Sequence, residues 1–84
     1  MAIMRAIMRL GPRKKARQFV ARRLAALRNA RELSQIQLAV KADFERTYVH
    51  AIEHERRGIS IDSLDRLCEA LGISLPDFFN DKVK

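Results

Sequence analysis

Residues 34–54 read SQIQLAVKADFERTYVHAIEH, and the spacing inside this stretch decides the fold. Ser34 with Gln37 forms an S-x-x-Q capping box, which satisfies two orphan backbone donors and opens a helix over 35–41. Leu38, Ala39 and Ala42 give that helix one apolar edge. Asp43-Phe44-Glu45 makes a three-residue turn, and Arg46 to His54 forms the next helix with Val49 and Ile52 facing inward. Two helices joined so tightly cross at roughly 90–120°, so the residue at closest approach must be small. Ala39 meets that need. The turn requires a residue that tolerates positive φ, and Asp43 does so, though glycine would do it better. The pattern predicts a helix-turn-helix over residues 35–54.

Working outward, Phe19, Val20, Leu24 and Leu27 keep helical spacing from Arg13 to Arg31, with Pro12 well placed at the start. Ser60 or Asp62 caps a fourth helix whose Leu64, Leu67, Cys68 and Leu71 fall on one stripe, closed by Gly72. Ser74 and Pro76 open a short fifth helix carrying Leu75, Phe78 and Phe79. No segment alternates with period two. The expected architecture is all-α, with five short helices in one domain over 13–80, a leader at 1–12 set off by Gly11-Pro12, and a tail at 81–84. A chain of 84 residues buries only ~60–65% of its unfolded surface, so a homo-oligomer would add useful stability.

Charge is unevenly spread. Residues 1–32 carry ten Lys or Arg and one acid, whereas residues 33–84 carry seven and nine. A basic arm on a near-neutral body points to a polyanion, nucleic acid before anionic membrane. The densest stretch is Arg13, Lys14, Lys15 and Arg17, followed by Arg22 and Arg23; the plain alternative is a solvated helix face. The repeated AIMR of residues 2–9 puts Ile3, Met4, Ile7 and Met8 on one short apolar face, readable as a frayed leader, a surface anchor or a dimer contact.

Several classes are excluded. One cysteine allows no internal disulfide framework, and three glycines allow no Gly-rich phosphate loop. No apolar run reaches a membrane span, and the start lacks a secretory cleavage site, so the expected location is cytoplasmic. His50-Ala51-Ile52-Glu53-His54 spells H-x-x-E-H, but no further histidine completes a zinc site and the domain is too small for a protease cleft. Cys68 lies between Leu67 and Leu71 on an apolar stripe and reads as a buried thiol. No nucleophile, base and orienter occur together, so the chain is not expected to be an enzyme or to need a cofactor or metal.

Ser34-Gln35, Leu38-Ala39, Arg46-Thr47-Tyr48, Ile52-Glu53, Ser60-Ile61, Leu71-Gly72-Ile73-Ser74 and Phe78-Phe79 together resemble the Cro/cI-type (lambda-repressor-like, XRE) helix-turn-helix family, from Phe19 to Phe79. Glu45-Arg46-Thr47-Tyr48 through Ile52-Glu53, then Arg57-Gly58 and Ile61, is similar to the small controller proteins of restriction–modification systems. The resemblance implies a DNA-binding transcriptional regulator. It places Gln35 against a phosphate, where the helix dipole favours an anion. It puts Arg46, Thr47, His50 and Ala51 on the groove face, and pairs Arg28 with Glu53 between helices. Family members often carry glycine where this chain has Glu32 and Glu55, so strain or reshaping is expected at both turns. Glu45 stands at the recognition-helix N-cap, where it would weaken phosphate binding or accept from a cytosine amino group.

The physics of readout agrees with these assignments. Positions 46, 47, 50 and 51 project from one face of a helix that the major groove admits. Arg46 can donate twice to guanine O6 and N7, Thr47 can meet a thymine methyl or a phosphate, and His50 can bond a base or the backbone. Ala51 offers apolar contact only, and Tyr48 reads as a packing residue. The expected protein is a homodimer on a pseudo-palindrome whose half-sites lie ~34 Å apart. Ile73, Leu75, Phe78 and Phe79 are expected at the dimer interface, with closure of the core as the alternative for Phe78 or Phe79, and Lys14, Lys15 and Arg17 are expected to add sequence-independent affinity. A different class stays open: an antitoxin or adaptor-type interaction module built on the same fold.

Overall fold

The computed structural model describes the backbone of residues 12–84 and the side chains of residues 15–84. The AIMR repeat of the leader, and the side chain of Lys14, lie outside the described residues. Among those described, five helices follow one another: α1 (Pro12–Ala30), α2 (Gln35–Ala42), α3 (Arg46–Glu53), α4 (Ile61–Leu71) and α5 (Leu75–Phe78). None is long and apolar enough to cross a membrane.

Local chemistry sets the starts. At α2 both arms of the capping box form, Gln37 N–H donating to Ser34 Oγ at 3.0 Å and Ser34 N–H to Gln37 Oε1 at 2.7 Å. Ser60, rather than Asp62, caps α4 by accepting from Ser63 N–H at 3.1 Å, and Ser74 caps α5 in the same way. Glu45 precedes α3 with no side-chain cap bond.

The ends of α1 to α4 share one device. Glu32, Asp43, Glu55 and Gly72 take left-handed φ of 56°, 59°, 59° and 71°. The next residue then donates back one turn: Leu33 to Arg28, Phe44 to Ala39, Arg56 to Ala51 and Ile73 to Cys68. The strain expected at Glu32 and Glu55 is therefore present, since a side chain in this region costs ~1 kcal/mol that glycine would not.

The core gathers Phe19, Leu24 and Leu27 of α1, Leu38 of α2, Val49 and Ile52 of α3 and the stripe of α4. α3 packs on α1 and α2, α2 also on α4, and α5 on α4. Ala39 is buried near the crossing of α2 and α3, as its size requires. Cys68 is fully buried, which pushes its thiol up to about 11.

Three expectations change. Phe78 is 0% exposed and meets Phe19 edge to face at 6.4 Å, so it closes this chain's own core and is not a dimer contact. Phe79 stacks on Phe19 at 5.8 Å and is only half-buried. Arg23, read as part of the basic cluster, is only 7% exposed. Its guanidinium donates to the carbonyls of Phe78 (2.6 Å), Asp77 (2.8 Å), Asn80 (2.8 Å) and Val83. Burial pulls its pKa below the ordinary arginine value. Since Val83 is held this way, residues 81–83 belong to the packed domain and are not a tail.

Candidate nucleic-acid interface

The interface is built from a chain of donors and acceptors whose order admits one assignment. Arg28, on α1, reaches between helices with only donors to offer. Its Nε and Nη2 donate to the two carboxylate oxygens of Glu53, on α3, at 2.7 and 2.9 Å, and Nη1 donates to Leu33 O at 2.7 Å. The Glu53 hydrogen bond, more than the charge itself, holds the Arg28 pKa above its ordinary value. The pair spans α1 and α3 and is largely buried, so it fixes how α3 sits on the body. Glu53 is thereby spent on Arg28, leaving H-x-x-E-H without its acid.

Gln35 extends the chain. Its Nε2 donates to Glu53 Oε1 at 3.1 Å, and its Oε1 lies 3.2 Å from His50 Nδ1. The first residue of α2 is thus tied to the middle of α3. His54 follows one turn later, its Nδ1 2.8 Å from His50 O, and the two rings stack at 3.8 Å. Loss of water around its ring, with His54, Arg56 and Arg46 nearby, holds the His50 pKa below its ordinary value.

On the outside of α3, Arg46, Thr47, His50 and Ala51 line one open depression, joined by Arg56. Four of the residues expected to act together are therefore brought together. Arg56 is an addition. It arrives because left-handed Glu55 turns the chain back along α3, with Arg56 N–H bonded to Ala51 O at 2.9 Å. A glycine-like position just after the helix was the available signal.

A second feature runs beside the first. Arg66 lies over the Phe44 ring at 4.0 Å, Phe44 stacks on Tyr48 at 4.6 Å, and Arg57 covers Tyr48 at 4.6 Å. Arg66 also donates to Ala42 O and Asp43 O at 2.9 and 2.7 Å, clasping the turn between α2 and α3 from α4. Tyr48 packs, as expected. Arg57, which carries part of the resemblance but no expected role in binding, shares a shallow depression with Glu45 and Thr47 at the start of α3. It also borders an apolar pocket with Arg17 and Gly58, which brings the exposed Arg17 of α1 to the loop after α3. Lys15 is half-buried on α1. Ile73, Leu75 and Phe79 are half-buried in and around α5. Among the described residues no group of three or more His, Cys, Asp or Glu could hold a metal ion.

The helix-turn-helix family matches residues 24–78. The immunity repressor protein of Bacillus phage phi105 is 41% identical over 56 residues, which cover 67% of this chain but only 39% of the repressor. Control protein C.MunI of a Mycoplasma species is 38% identical over 50 residues, covering 60% of this chain and 68% of that protein. The restriction–modification controller protein C.Esp1396I, solved as a tetramer in complex with its natural 35 base-pair operator, superposes with a TM-score of 0.74 at 29% identity, over 77% of this chain and 86% of that one. All described secondary structure is helical, and the match spans from Leu24 in α1 to Phe78 in α5. The chain belongs to the helix-turn-helix family, in agreement with the Cro/cI-type resemblance carried by its residues.

Proposed function

We propose that this protein is a sequence-specific DNA-binding transcriptional regulator that acts as a homodimer. The observation that carries the reading is the single open face of α3, where Arg46, Thr47, His50, Ala51 and Arg56 line one depression while Val49 and Ile52 anchor the helix from behind. A major groove admits one helix, and this face offers it a guanidinium, a hydroxyl, an imidazole and a methyl. Arg46 reads guanine, Thr47 a thymine methyl or a phosphate. Gln35 keeps one amide hydrogen for a phosphate at the start of α2, while Lys14, Lys15 and Arg17 follow the backbone. Glu45 opposes phosphate and moderates affinity. The role is recognition and not catalysis, and its setting is the cytoplasm.

Dimer contacts fall to Ile73, Leu75 and Phe79, the half-buried apolar residues at the C-terminal end. The relatives named as control proteins, and the one solved on its operator, favour control of restriction–modification genes over other regulons. Selection of bound sites from random duplex DNA tests the reading. An inverted repeat with half-sites one helical turn apart is expected. Recovery of no common sequence, or of one unrepeated site bound by a monomer, would overturn it.

A further inference from the structure

We infer that His50 is a specificity-determining residue that reads an exocyclic amino group, adenine N6 or cytosine N4, through an unprotonated Nε2, its tautomer set by the Arg28–Glu53–Gln35 chain. The inference rests on the DNA-binding reading above and adds to it the class of base edge that one side chain selects.

Donors and acceptors along the chain fix each group in turn. Arg28 can only donate, so the Glu53 carboxylate it grips at 2.7 and 2.9 Å is accepting. A carboxylate that accepts from arginine can take only the amide nitrogen of Gln35, which fixes Nε2 toward Glu53 at 3.1 Å. The carbonyl oxygen of Gln35 must then face His50, and a carbonyl only accepts. His50 Nδ1, 3.2 Å away, therefore carries the hydrogen. In the neutral ring the other nitrogen, Nε2, is left as a lone-pair acceptor. Three buried or half-buried side chains from three helices so impose one tautomer on a residue at the DNA-facing depression.

The surroundings favour the neutral ring, loss of water around it first. Arg46 and His54 of α3 and Arg56 of the following loop all disfavour a second proton; Glu53 favours it, but is already occupied by Arg28. From α2 the ring meets Gln35, which is uncharged. Arg46 and Arg56 flank the same depression as pure donors suited to guanine or phosphate. His50 supplies the complementary group, an acceptor, and in the major groove acceptors select adenine or cytosine amino groups. Protonation would convert Nε2 to a donor and remove that preference. Gln35 acts here as a positioning residue.

Two measurements on the full chain test this. Nitrogen-15 NMR of the imidazole rings in free protein should show His50 with hydrogen on Nδ1, and Gln35→Ala should move it toward Nε2. Hydrogen on Nε2 in the unmodified protein overturns the inference. Then, on the selected operator, each base pair is replaced in turn. The unmodified protein should favour one amino-bearing base by about tenfold at about pH 7.5 and lose that preference at an acid pH where the ring is protonated, while overall binding rises. His50→Ala should lack the preference at both values, and a preference that survives in His50→Ala overturns the inference. Failure of the unmodified protein to select any DNA would instead refute the regulator reading, leaving the tautomer measured on its own.

Discussion

On α1 and just past its end, Arg23, Arg28 and Arg31 turn their guanidinium groups onto the chain's own oxygens: four C-terminal carbonyls, the Glu53 carboxylate, and the carbonyls of Leu27 and Leu71. Around α3, Arg46 and Arg56 border an open depression, and Arg57 lies over the Tyr48 ring at 4.6 Å. The two regions carry the same charge for different ends. In the first, arginine replaces missing core and missing caps by satisfying carbonyls at helix ends. In the second it is left for a partner. Net charge therefore overstates the surface this protein offers to a polyanion, and the two sets of arginines should respond to mutation in opposite ways.

The largest effect is expected at Arg23. Arg23→Met keeps the apolar stem but leaves the carbonyls of Asp77, Phe78, Asn80 and Val83 without their donor. A loss of about 3 kcal/mol in urea unfolding should result, a large fraction of what so small a domain possesses. Arg22, exposed one position earlier, is the control, and Arg22→Met should stay within about 0.5 kcal/mol. Equal effects from both would erase the difference between inward and outward arginines.

Next comes the pair that joins the two regions. Glu53→Gln leaves the Arg28 guanidinium buried without a countercharge and should cost about 2–3 kcal/mol in the same measurement. Because Gln35 and His50 hang on Glu53, this change should also alter DNA selection in the protein that still folds. Stability lost with base preference intact would show that the body and the reading face are independent.

Arg46→Ala should do the reverse of Arg23→Met. Unfolding should move by less than about 0.5 kcal/mol, while discrimination at one base pair per half-site falls by about 1–3 kcal/mol in competition binding. Uniform weakening on every sequence would make Arg46 a phosphate clamp. Neutralising Lys15 and Arg17 should reduce the salt slope of binding by ~0.9 for each phosphate no longer neutralised, with base preference unchanged.

How far the sequence discloses this division follows from where each signal lies. The helix-turn-helix is legible because its constraints are local. Ser34 and Gln37 are three apart, Ala39 and Phe44 bracket one turn, and each bond they make is within a few residues. The exposed face of α3 follows from helical period alone. Arg23 is not legible in the same way, since its partners are main-chain carbonyls 54 to 60 residues away that leave no mark in side-chain chemistry. One trace exists: Phe19, Arg23 and Leu27 recur at i, i+4, i+8, which puts an arginine in the middle of an apolar stripe. The Gln35–His50 contact is hidden for a related reason, because it depends on the rotation of α3 that Arg28 and Glu53 set together. Phe78 and Phe79 are adjacent and alike, and only the direction in which α5 closes the core decides that Phe78 goes in.

The smallest effect separates backbone from side chain at the boundary of the two regions. Glu32, at the end of α1, and Glu55, at the end of α3, sit in the left-handed region at φ 56° and 59°. Both are exposed, so replacing either by glycine removes strain without opening a cavity. The relief, ~1 kcal/mol, is partly offset by the greater freedom of glycine in the unfolded chain, so each variant should gain about 0.5 kcal/mol in thermal or urea unfolding. The two should then part on DNA. Glu32 does not line the depression on α3, so Glu32→Gly should leave base preference unchanged. Glu55→Gly removes an acid next to Arg56 and loosens the turn that lays Arg56 along α3, so charge favours tighter binding while lost order weakens it. The salt dependence distinguishes them: a steeper slope means the acid had been restraining Arg56, and an unchanged slope with weaker binding means the turn had been holding it in place.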